Sequence, residues 1–193
     1  AVEREVKEVI SILSESDLLL NEDFTKNNLE DHLTTQFYPV LHIATHGKFA
    51  TEPNNTFLVM GDKELSTADN NIPENKLLRL GELDKLVRLG MGEDKLLNLI
   101  VLSACLTGSG DERSALGLAG VAIRAGADTA VASLWSVDDD ATADLIAVFY
   151  RNWKGGLPKA EALRQAQLTV MDDRRHPQHP AYWAAFMMVG DWQ

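Results

Sequence analysis

Two nearly continuous apolar runs constrain the fold of this chain more than any other feature of its sequence. Residues 98–103 are NLIVLS and residues 129–135 are TAVASLW, and neither run alternates between apolar and polar side chains. A strand without such alternation is covered on both faces, as in parallel sheets whose crossover connections carry helices. Between the runs, residues 115–126 are mostly small and follow Ser114, a residue type that caps helices. The sequence therefore predicts an α/β fold with a mostly parallel central sheet.

Hydrophobic periodicity predicts helices before and after these strands. Apolar residues recur at spacings of three and four along a first helix, at Val2, Val6, Ile10 and Leu13. A second helix is predicted to begin after a cap at Thr25 and carries Leu29 and Leu33. Three later helices are predicted, at residues 80–89, 139–153 and 158–171.

Further strands are predicted on either side of the two central ones. Residues 39–45 are rich in β-forming side chains and end at a break, His46-Gly47. Residues 57–60 and 63–65 predict a hairpin that turns on the Gly-Asp pair between them. A last strand is predicted at residues 182–189.

The composition is that of an ordinary single-domain globular protein. The chain has 193 residues, of which 45% are hydrophobic and 24% are charged. A chain of this length buries roughly 70% of the surface that its unfolded form exposes, so it needs no crosslink or metal for stability. Its one cysteine, Cys105, excludes an internal disulfide, which fits a reducing cytoplasmic compartment. We expect residues 1–193 to form one domain.

The charge of the chain excludes two classes of partner. The formal net charge is −11, and such a field repels phosphate backbones and anionic lipid headgroups, so we expect neither nucleic acid nor a membrane as a partner. No apolar run approaches the ~20 residues that span a bilayer, and the N-terminal stretch lacks the features of a signal peptide. Because the sequence begins at Ala1 within a helical pattern, we expect it to be the C-terminal part of a longer chain.

A histidine and the single cysteine stand at the ends of two predicted strands. His46 follows the strand at residues 39–45, and Cys105 follows the strand at residues 98–103. Open α/β sheets bind ligands at the carboxyl ends of their strands. If the two strands are neighbours, an imidazole there can lower the pKa of the thiol and return the proton to a leaving amine, while the N–H of Gly47 faces the oxyanion. The alternative is that Cys105 is a small buried hydrophobe.

Other chemistries that use a cysteine or a glycine-rich loop lack their required residues. A phosphatase loop needs an arginine six positions after its cysteine, where this sequence has Asp111. The loop at Gly108 and Gly110 has Arg113 where a dinucleotide-binding motif needs its third glycine. The sequence contains no Walker loop and no nucleophile-elbow serine motif.

Four ordered blocks of the sequence resemble one known family. They are HIATHG at residues 42–47, VLSACLTG at 101–108, SLWSVDDDAT at 133–142 and HPAYWAAFMMVGDW at 179–192. These blocks resemble the CHAT family, caspase-like domains of the cysteine peptidase clan that also holds caspases, separase and gingipains. The resemblance runs from about Glu3 to the last residue and implies a caspase-like three-layer sandwich.

The resemblance implies a cysteine endopeptidase that hydrolyses a peptide bond in a protein or peptide substrate. Its catalytic pair would be His46 of the HG motif and Cys105 of the SAC motif, with the amides of Gly47 and Cys105 stabilising the oxyanion. CHAT domains commonly follow TPR repeats in large bacterial proteins, so a TPR or other regulatory region in the same chain is expected to gate the site. Two alternatives stay open: an interaction module with an idle dyad, and another acyl-transfer enzyme that uses the same dyad.

The resemblance also implies that the loop after the second central strand forms part of the pocket for the residue before the scissile bond. It offers Trp135 as a wall and Asp138 and Asp139 as charges, and it has no basic residue. Carboxylates in such a pocket would favour Lys or Arg before the scissile bond, and the net negative charge adds long-range attraction. The alternative is that both aspartates only begin a helix, with Ser136 in a capping arrangement, which leaves an apolar pocket.

The remaining histidines that the sequence places near strands or prolines are expected to be structural. His42 lies within a predicted strand, where packing or support of another residue is favoured over catalysis. His176 and His179 lie in a proline-bounded loop, and two histidines without a third ligand make a poor metal site. We therefore expect no metal and no other cofactor.

Overall fold

The computed structural model describes residues 2–48, 50, 55–61, 72–89, 96–106, 113–135 and 137–193 of the chain. For residues 104–106 and 113–118 it describes the backbone alone. Within these ranges the fold has one central sheet and helices on both of its faces.

Within the described residues the sheet has six strands. In chain order they are β1 (Val40–Lys48), β2 (Phe57–Val59), β3 (Leu77–Arg79), β4 (Leu99–Leu106), β5 (Thr129–Ser133) and β6 (Phe186–Gly190). In space they lie in the order β3-β2-β1-β4-β5-β6. β1, β4 and β5 are parallel, whereas β2, β3 and β6 pair antiparallel with their neighbours. The predicted parallel centre is confirmed, and the antiparallel strands at the two edges make the sheet mixed.

The helices are spread along the whole described sequence. They are α1 (Val2–Ile12), α2 (Lys26–Thr35), α3 (Leu80–Leu89), α4 (Arg113–Ala125), α5 (Asp139–Lys154), α6 (Lys159–Asp172) and α7 (Pro180–Trp183). Short 3-10 turns occur at Asn21–Asp23 and Glu74–Lys76. Among the described helices, none combines the length and the apolar character that crossing a membrane requires.

The helices and the sheet form three layers. On one face α2, α3 and α4 pack through a cluster that includes Leu83 and Ala122. On the other face α1, α5 and α6 pack through a cluster that includes Phe149 and Ala166. The central strand β4 is covered by both layers, and its residues Leu99, Ile100, Val101 and Leu102 are at most 1% exposed. The predicted α/β class and three-layer sandwich are confirmed.

Local sequence signals account for most of the helix boundaries. Thr25 caps α2, because its Oγ1 accepts a hydrogen bond from the N–H of Asn28 at 3.2 Å. The helix predicted at residues 80–89 is α3, and α6 follows Pro158 as expected. Ser114 is an exception, because α4 already begins at Arg113 and therefore includes Ser114 within its first turn.

The strand ends differ from the prediction where a neighbouring strand extends the ladder. β1 continues through His46 and Gly47 to Lys48, because Gly47 and Lys48 pair with Leu58 and Phe57 of β2. β4 likewise continues through the position of Cys105 to Leu106, paired with β1. The residue types within a strand do not show which distant segment will pair with it. The sequence therefore predicted the ends of both strands too early.

Two further predictions about the edges of the sheet are corrected. The antiparallel partner of β2 on its outer side is β3, at Leu77–Arg79, rather than a tight hairpin arm. Residues 63–65, the predicted arm, lie outside the described residues. The last strand begins at Phe186 rather than residue 182, because Pro180 starts the short helix α7.

Candidate active site

The sheet register brings His46 and Cys105 to paired positions. β1 and β4 are parallel neighbours, and His46 pairs with Cys105 in a ladder that runs from Val40 and Leu99 at one end to Gly47 and Leu106 at the other. Neighbouring strands lie about 4.8 Å apart, so the backbones of the two residues are adjacent. The condition set by the sequence, that the two strands are neighbours, is therefore met. Catalysis by the pair stays a prediction.

Gly47 lies within β1, whereas the sequence predicted that the strand ends before it. It is buried and occupies a ladder position on both sides, opposite Leu58 of β2 and opposite Leu106 of β4. It is thus a strand residue rather than the first residue of a loop. Its assignment with the amide of Cys105 to an oxyanion site stays a prediction.

His46 lies on the wall of a large cavity. The cavity has a volume of about 630 Å³, and its lining includes His46, Gly61 and Asp139. His46 itself is partly buried. A cavity of this size is in the usual range for sites that bind small molecules or short peptide segments. His46 therefore borders a space large enough to hold a ligand.

The two aspartates at the start of α5 have different roles. Asp138 is the N-cap of α5, because its Oδ1 accepts hydrogen bonds from the N–H groups of Asp140 and Ala141, each at 3.1 Å. Asp139 is exposed and lines the same cavity as His46. The capping alternative therefore holds for Asp138 itself, whereas the predicted capping residue Ser136 lies outside the described residues. Of the two, Asp139 is the carboxylate that remains available to a ligand.

Trp135 is fixed by its neighbours in the fold. It is partly buried against the cluster on the α5 face of the sheet. Its indole N–H donates a hydrogen bond to the carbonyl oxygen of Ala181 at 3.0 Å, which ties the loop after β5 to α7. Its role as a wall of the substrate pocket stays a prediction.

The comparison with known families agrees with this geometry. A sequence model of the CHAT domain matches residues 1–191 of the chain. The chain belongs to the CHAT domain family. A comparison with curated proteins gave no significant match. The family is caspase-like and related to cysteine peptidases, which fits a histidine and a cysteine at paired positions on adjacent parallel strands.

The CHAT domain also contains a buried polar network that the sequence did not reveal. Both ring nitrogens of His42 are hydrogen-bonded, Nε2 to the carboxylate of Glu5 in α1 and Nδ1 to the hydroxyl of Tyr150 in α5, each at 3.1 Å. The side chains of His42 and Glu5 are 8% and 5% exposed, and burial together with the charge of Glu5 raises the pKa of the Tyr150 hydroxyl well above its ordinary value. The packing role predicted for His42 is confirmed, and it ties β1 to two helices.

A spacing in the sequence could have indicated Glu5. Glu5 and Val9 are four residues apart and are the two buried residues of α1. The face of α1 that packs on the sheet is therefore marked by this pair, whereas the predicted stripe at Val2, Val6 and Ile10 lines the cavity. Nothing in the sequence marks Tyr150, whose phenol differs from a core phenylalanine only by its hydroxyl.

An ion-pair cluster joins α1, α5 and the segment after α6 in this CHAT domain. Asp144 is bonded to Arg4, to Arg175 at 2.8 Å and to His176 at 3.0 Å. Burial alone would raise the pKa of Asp144, but the hydrogen bonds from His176 and Arg4 and the charges of both arginines outweigh it and hold that pKa below the ordinary value. Asp144, Asp173 and His176 have ligand atoms close enough to hold a metal. Because two arginines already neutralise the carboxylates, this cluster is better suited to an ion pair than to a cation.

Proposed function

We propose that this CHAT domain is a cysteine endopeptidase that uses Cys105 as nucleophile and His46 as general acid and base. The observation that carries the proposal is the register that pairs the two residues on β1 and β4. It is supported by membership of a caspase-like, peptidase-related family and by the ligand-sized cavity on which His46 lies.

The proposed reaction has two stages. The Cys105 thiolate attacks the peptide carbonyl carbon, the carbon–nitrogen bond breaks, and His46 gives the departing amine its proton, which leaves a thioester. His46 then takes a proton from water as the water attacks the thioester, the carbon–sulfur bond breaks, and the carboxylic acid product leaves the Cys105 thiolate beside protonated His46. The amide of Cys105 is the proposed donor to the oxyanion in both stages. A TPR or other regulatory region in the same chain is the proposed gate for the site.

The test uses a peptide with a thiol-reactive group at its carboxyl end. We expect it to label Cys105 much faster than it labels free cysteine, and Cys105→Ala to abolish both labelling and peptide cleavage. His46→Ala should lower both rates by a factor of 10³ or more, on the order of what loss of one member of a catalytic unit costs. The matched control is His179→Asn, which keeps an N-capping side chain on α7 and should leave both rates unchanged.

The outcome separates the two classes of function. Labelling of Cys105 no faster than that of free cysteine, in the presence of any regulatory region of the parent chain, would contradict the peptidase and favour an interaction module. If the unmodified domain is labelled fast but the Cys105→Ala variant still cleaves the peptide, the assignment of Cys105 as the nucleophile would be contradicted. Fast labelling with transfer to an amine instead of water would favour another acyl-transfer enzyme.

We further propose that the site prefers Lys or Arg before the scissile bond, with Asp139 as the recognising carboxylate. Asp139 lines the same cavity as His46, and no Lys or Arg is among the described residues that line it. A charge-assisted hydrogen bond between a carboxylate and a cationic side chain is about twice as strong as a neutral one. An aspartate preference like that of caspases is the opposite of what this charge arrangement favours.

The two aspartates at the start of α5 supply their own control. Asp139→Asn should lower cleavage after Arg relative to cleavage after Leu by about tenfold, which corresponds to ~1.4 kcal/mol. Asp138→Asn removes the same charge but keeps a capping oxygen, so it should leave the ratio unchanged. The proposed preference for Lys or Arg would be contradicted if the unmodified domain and both variants all cleaved a peptide library after Met or Leu.

A further inference from the structure

Among the described residues, no strand pairs with one side of β1 over most of its length. β4 pairs with one side of β1 from Val40 to Gly47, but β2 pairs with the other side only at Gly47 and Lys48. Between Val40 and His46, no described residue pairs backbone to backbone on that second side, although the carbonyl oxygen of Val59 in β2 accepts a hydrogen bond from the hydroxyl of Thr45. Alternate residues of a parallel strand direct their N–H and C=O groups to each side. An edge with such unpaired groups is a template for another strand.

A large apolar cavity lies along this edge. It has a volume of about 630 Å³, and its lining includes every residue from Val40 to His46. α1 contributes its apolar stripe, and α2 contributes Leu29 and Leu33. Because α1 and α2 cover opposite faces of the sheet, the space beside β1 is enclosed from both faces. We call this space the edge groove.

The shape of the edge groove fits an extended polypeptide better than a compact ligand. The seven residues from Val40 to His46 span about 23 Å at the usual rise of a strand. Only an extended backbone presents N–H and C=O groups at the same repeat along that length. Since both walls are apolar, the side chains of the occupant should be apolar on both faces, as in a strand buried between two layers.

The charges around the edge groove indicate the ends of the occupant. Four acidic residues line it, namely Glu3, Glu15, Asp17 and Asp139, and no Lys or Arg is among its described lining residues. Glu15 and Asp17 are exposed in the connection between α1 and α2. Complementary charge at an interface favours the matching partner and disfavours others. An apolar segment with Lys or Arg at its ends is therefore the complementary ligand.

We propose that the edge groove binds an extended segment of a partner polypeptide, apolar at its centre and basic at its ends, which adds to β1 as a further strand. The bound strand would complete the hydrogen bonding of β1 and cover the apolar stripe of α1. Its end would lie beside His46, at the proposed active site. The proposal concerns binding and does not depend on peptide hydrolysis.

The test uses fluorescent nine-residue peptides with a centre of Val, Ile and Leu and a lysine at each end. Their binding to the 193-residue domain is measured by fluorescence anisotropy and repeated with Cys105→Ala, so that cleavage does not affect the result. Two derivatives carry N-methyl groups on alternate amides, one on each edge of the peptide. We expect one derivative to lose at least tenfold in affinity and the other to bind normally, because only one edge of an added strand pairs with β1. Peptides with glutamate at both ends should bind several-fold more weakly.

Two variants of the domain locate the binding site. Val6→Trp fills the edge groove from α1 and should lower peptide affinity at least tenfold, whereas Lys7→Trp, on the exposed side of the same helix, should change it less than twofold. Glu15→Lys changes an exposed charge without touching a buried contact, so it tests the same site even if Val6→Trp unfolds the domain. It should weaken the lysine-ended peptide and strengthen the glutamate-ended one.

Hydrogen exchange identifies the pairing edge. Peptide binding should slow exchange of backbone amides between Val40 and His46 and leave those of β5 unchanged. Affinity that is insensitive to both N-methyl derivatives, or to both Val6→Trp and Glu15→Lys, would overturn the proposal. Protection of the β1 amides that rises with protein concentration, without any peptide, would also overturn it by making a second copy of the chain the occupant.

Discussion

The helices α1 and α5 cover the same face of the sheet but use their apolar residues differently. Eight residues of α5 are buried, including Leu145, Phe149 and Tyr150. Only Glu5 and Val9 are buried in α1, although its apolar stripe is as regular as that of α5. In α5 the apolar side is covered by β5, α6 and α1, whereas the stripe of α1 lines the edge groove. Periodicity therefore shows which side of a helix is apolar, but not whether the same chain covers it.

This difference predicts a large gap in the cost of truncating side chains on the two helices. Phe149→Ala removes a side chain that is 0% exposed and should lower the free energy of unfolding by about 3–5 kcal/mol. Val6→Ala removes a side chain that borders open space, so no new cavity forms and the loss should be below ~1 kcal/mol. Urea unfolding of the two variants and the unmodified domain measures both values. A loss for Val6→Ala close to that for Phe149→Ala would show that the stripe of α1 is covered in solution.

The same difference explains how much of the fold the sequence could predict. The continuous apolar runs at β4 and β5 and the boundaries of α3, α5 and α6 follow from local patterns, because side chains within each element or directly beside it mark them. The end of β1 and the outer partner of β2 depend on pairing between distant segments, which no local pattern reports.

The site was predicted in the same uneven way. His46 and Cys105 are singled out by the HG and SAC motifs, whereas the strand order that makes them neighbours is known only from the structure. The division of roles between Asp138 and Asp139 required the structure, because both residue types are equally frequent at helix starts. The Glu5–His42–Tyr150 network was missed because it joins three elements that are distant along the chain.

The next prediction concerns the Glu5–His42–Tyr150 network, which lies between α1 and α5. Tyr150→Phe removes the hydroxyl that bonds to Nδ1 of His42 and leaves that buried nitrogen without this partner. The free energy of unfolding at pH 7 should fall by about 1–3 kcal/mol, which is the usual cost of an unsatisfied buried polar group. The matched control is Tyr38→Phe, whose hydroxyl bonds to the exposed Asp17 beside the edge groove and should cost less. Equal losses in the two variants would contradict the distinction.

The same two tyrosines predict how stability depends on alkaline pH. Burial raises the pKa of Tyr150 well above 10, and burial together with the hydrogen bond to Asp17 raises the pKa of Tyr38 to about 12. A phenol whose pKa is higher in the folded state contributes stability that is fully present below its unfolded pKa, near 10, and is lost as pH rises through the folded pKa. The domain should therefore lose stability above about pH 10, and Tyr150→Phe and Tyr38→Phe should each reduce that slope by a similar amount, because both phenols stay protonated in the folded state up to about pH 11. Unfolding by urea between pH 8 and pH 11 measures it.

The smallest predicted effect concerns the start of α5, where the covered region meets the edge groove. Asp138 accepts hydrogen bonds from two backbone N–H groups that have no partner within the helix, so Asp138→Ala should lower the free energy of unfolding by about 1 kcal/mol. Asp138→Asn keeps an accepting oxygen and should cost only a few tenths of a kcal/mol. Asp139→Ala removes an exposed carboxylate beside the edge groove and should change stability by less than ~0.5 kcal/mol. The reverse order, with Asp139→Ala the more costly variant, would mean that Asp139 has a structural contact in solution, and its availability as a recognising carboxylate would then have to be rejected.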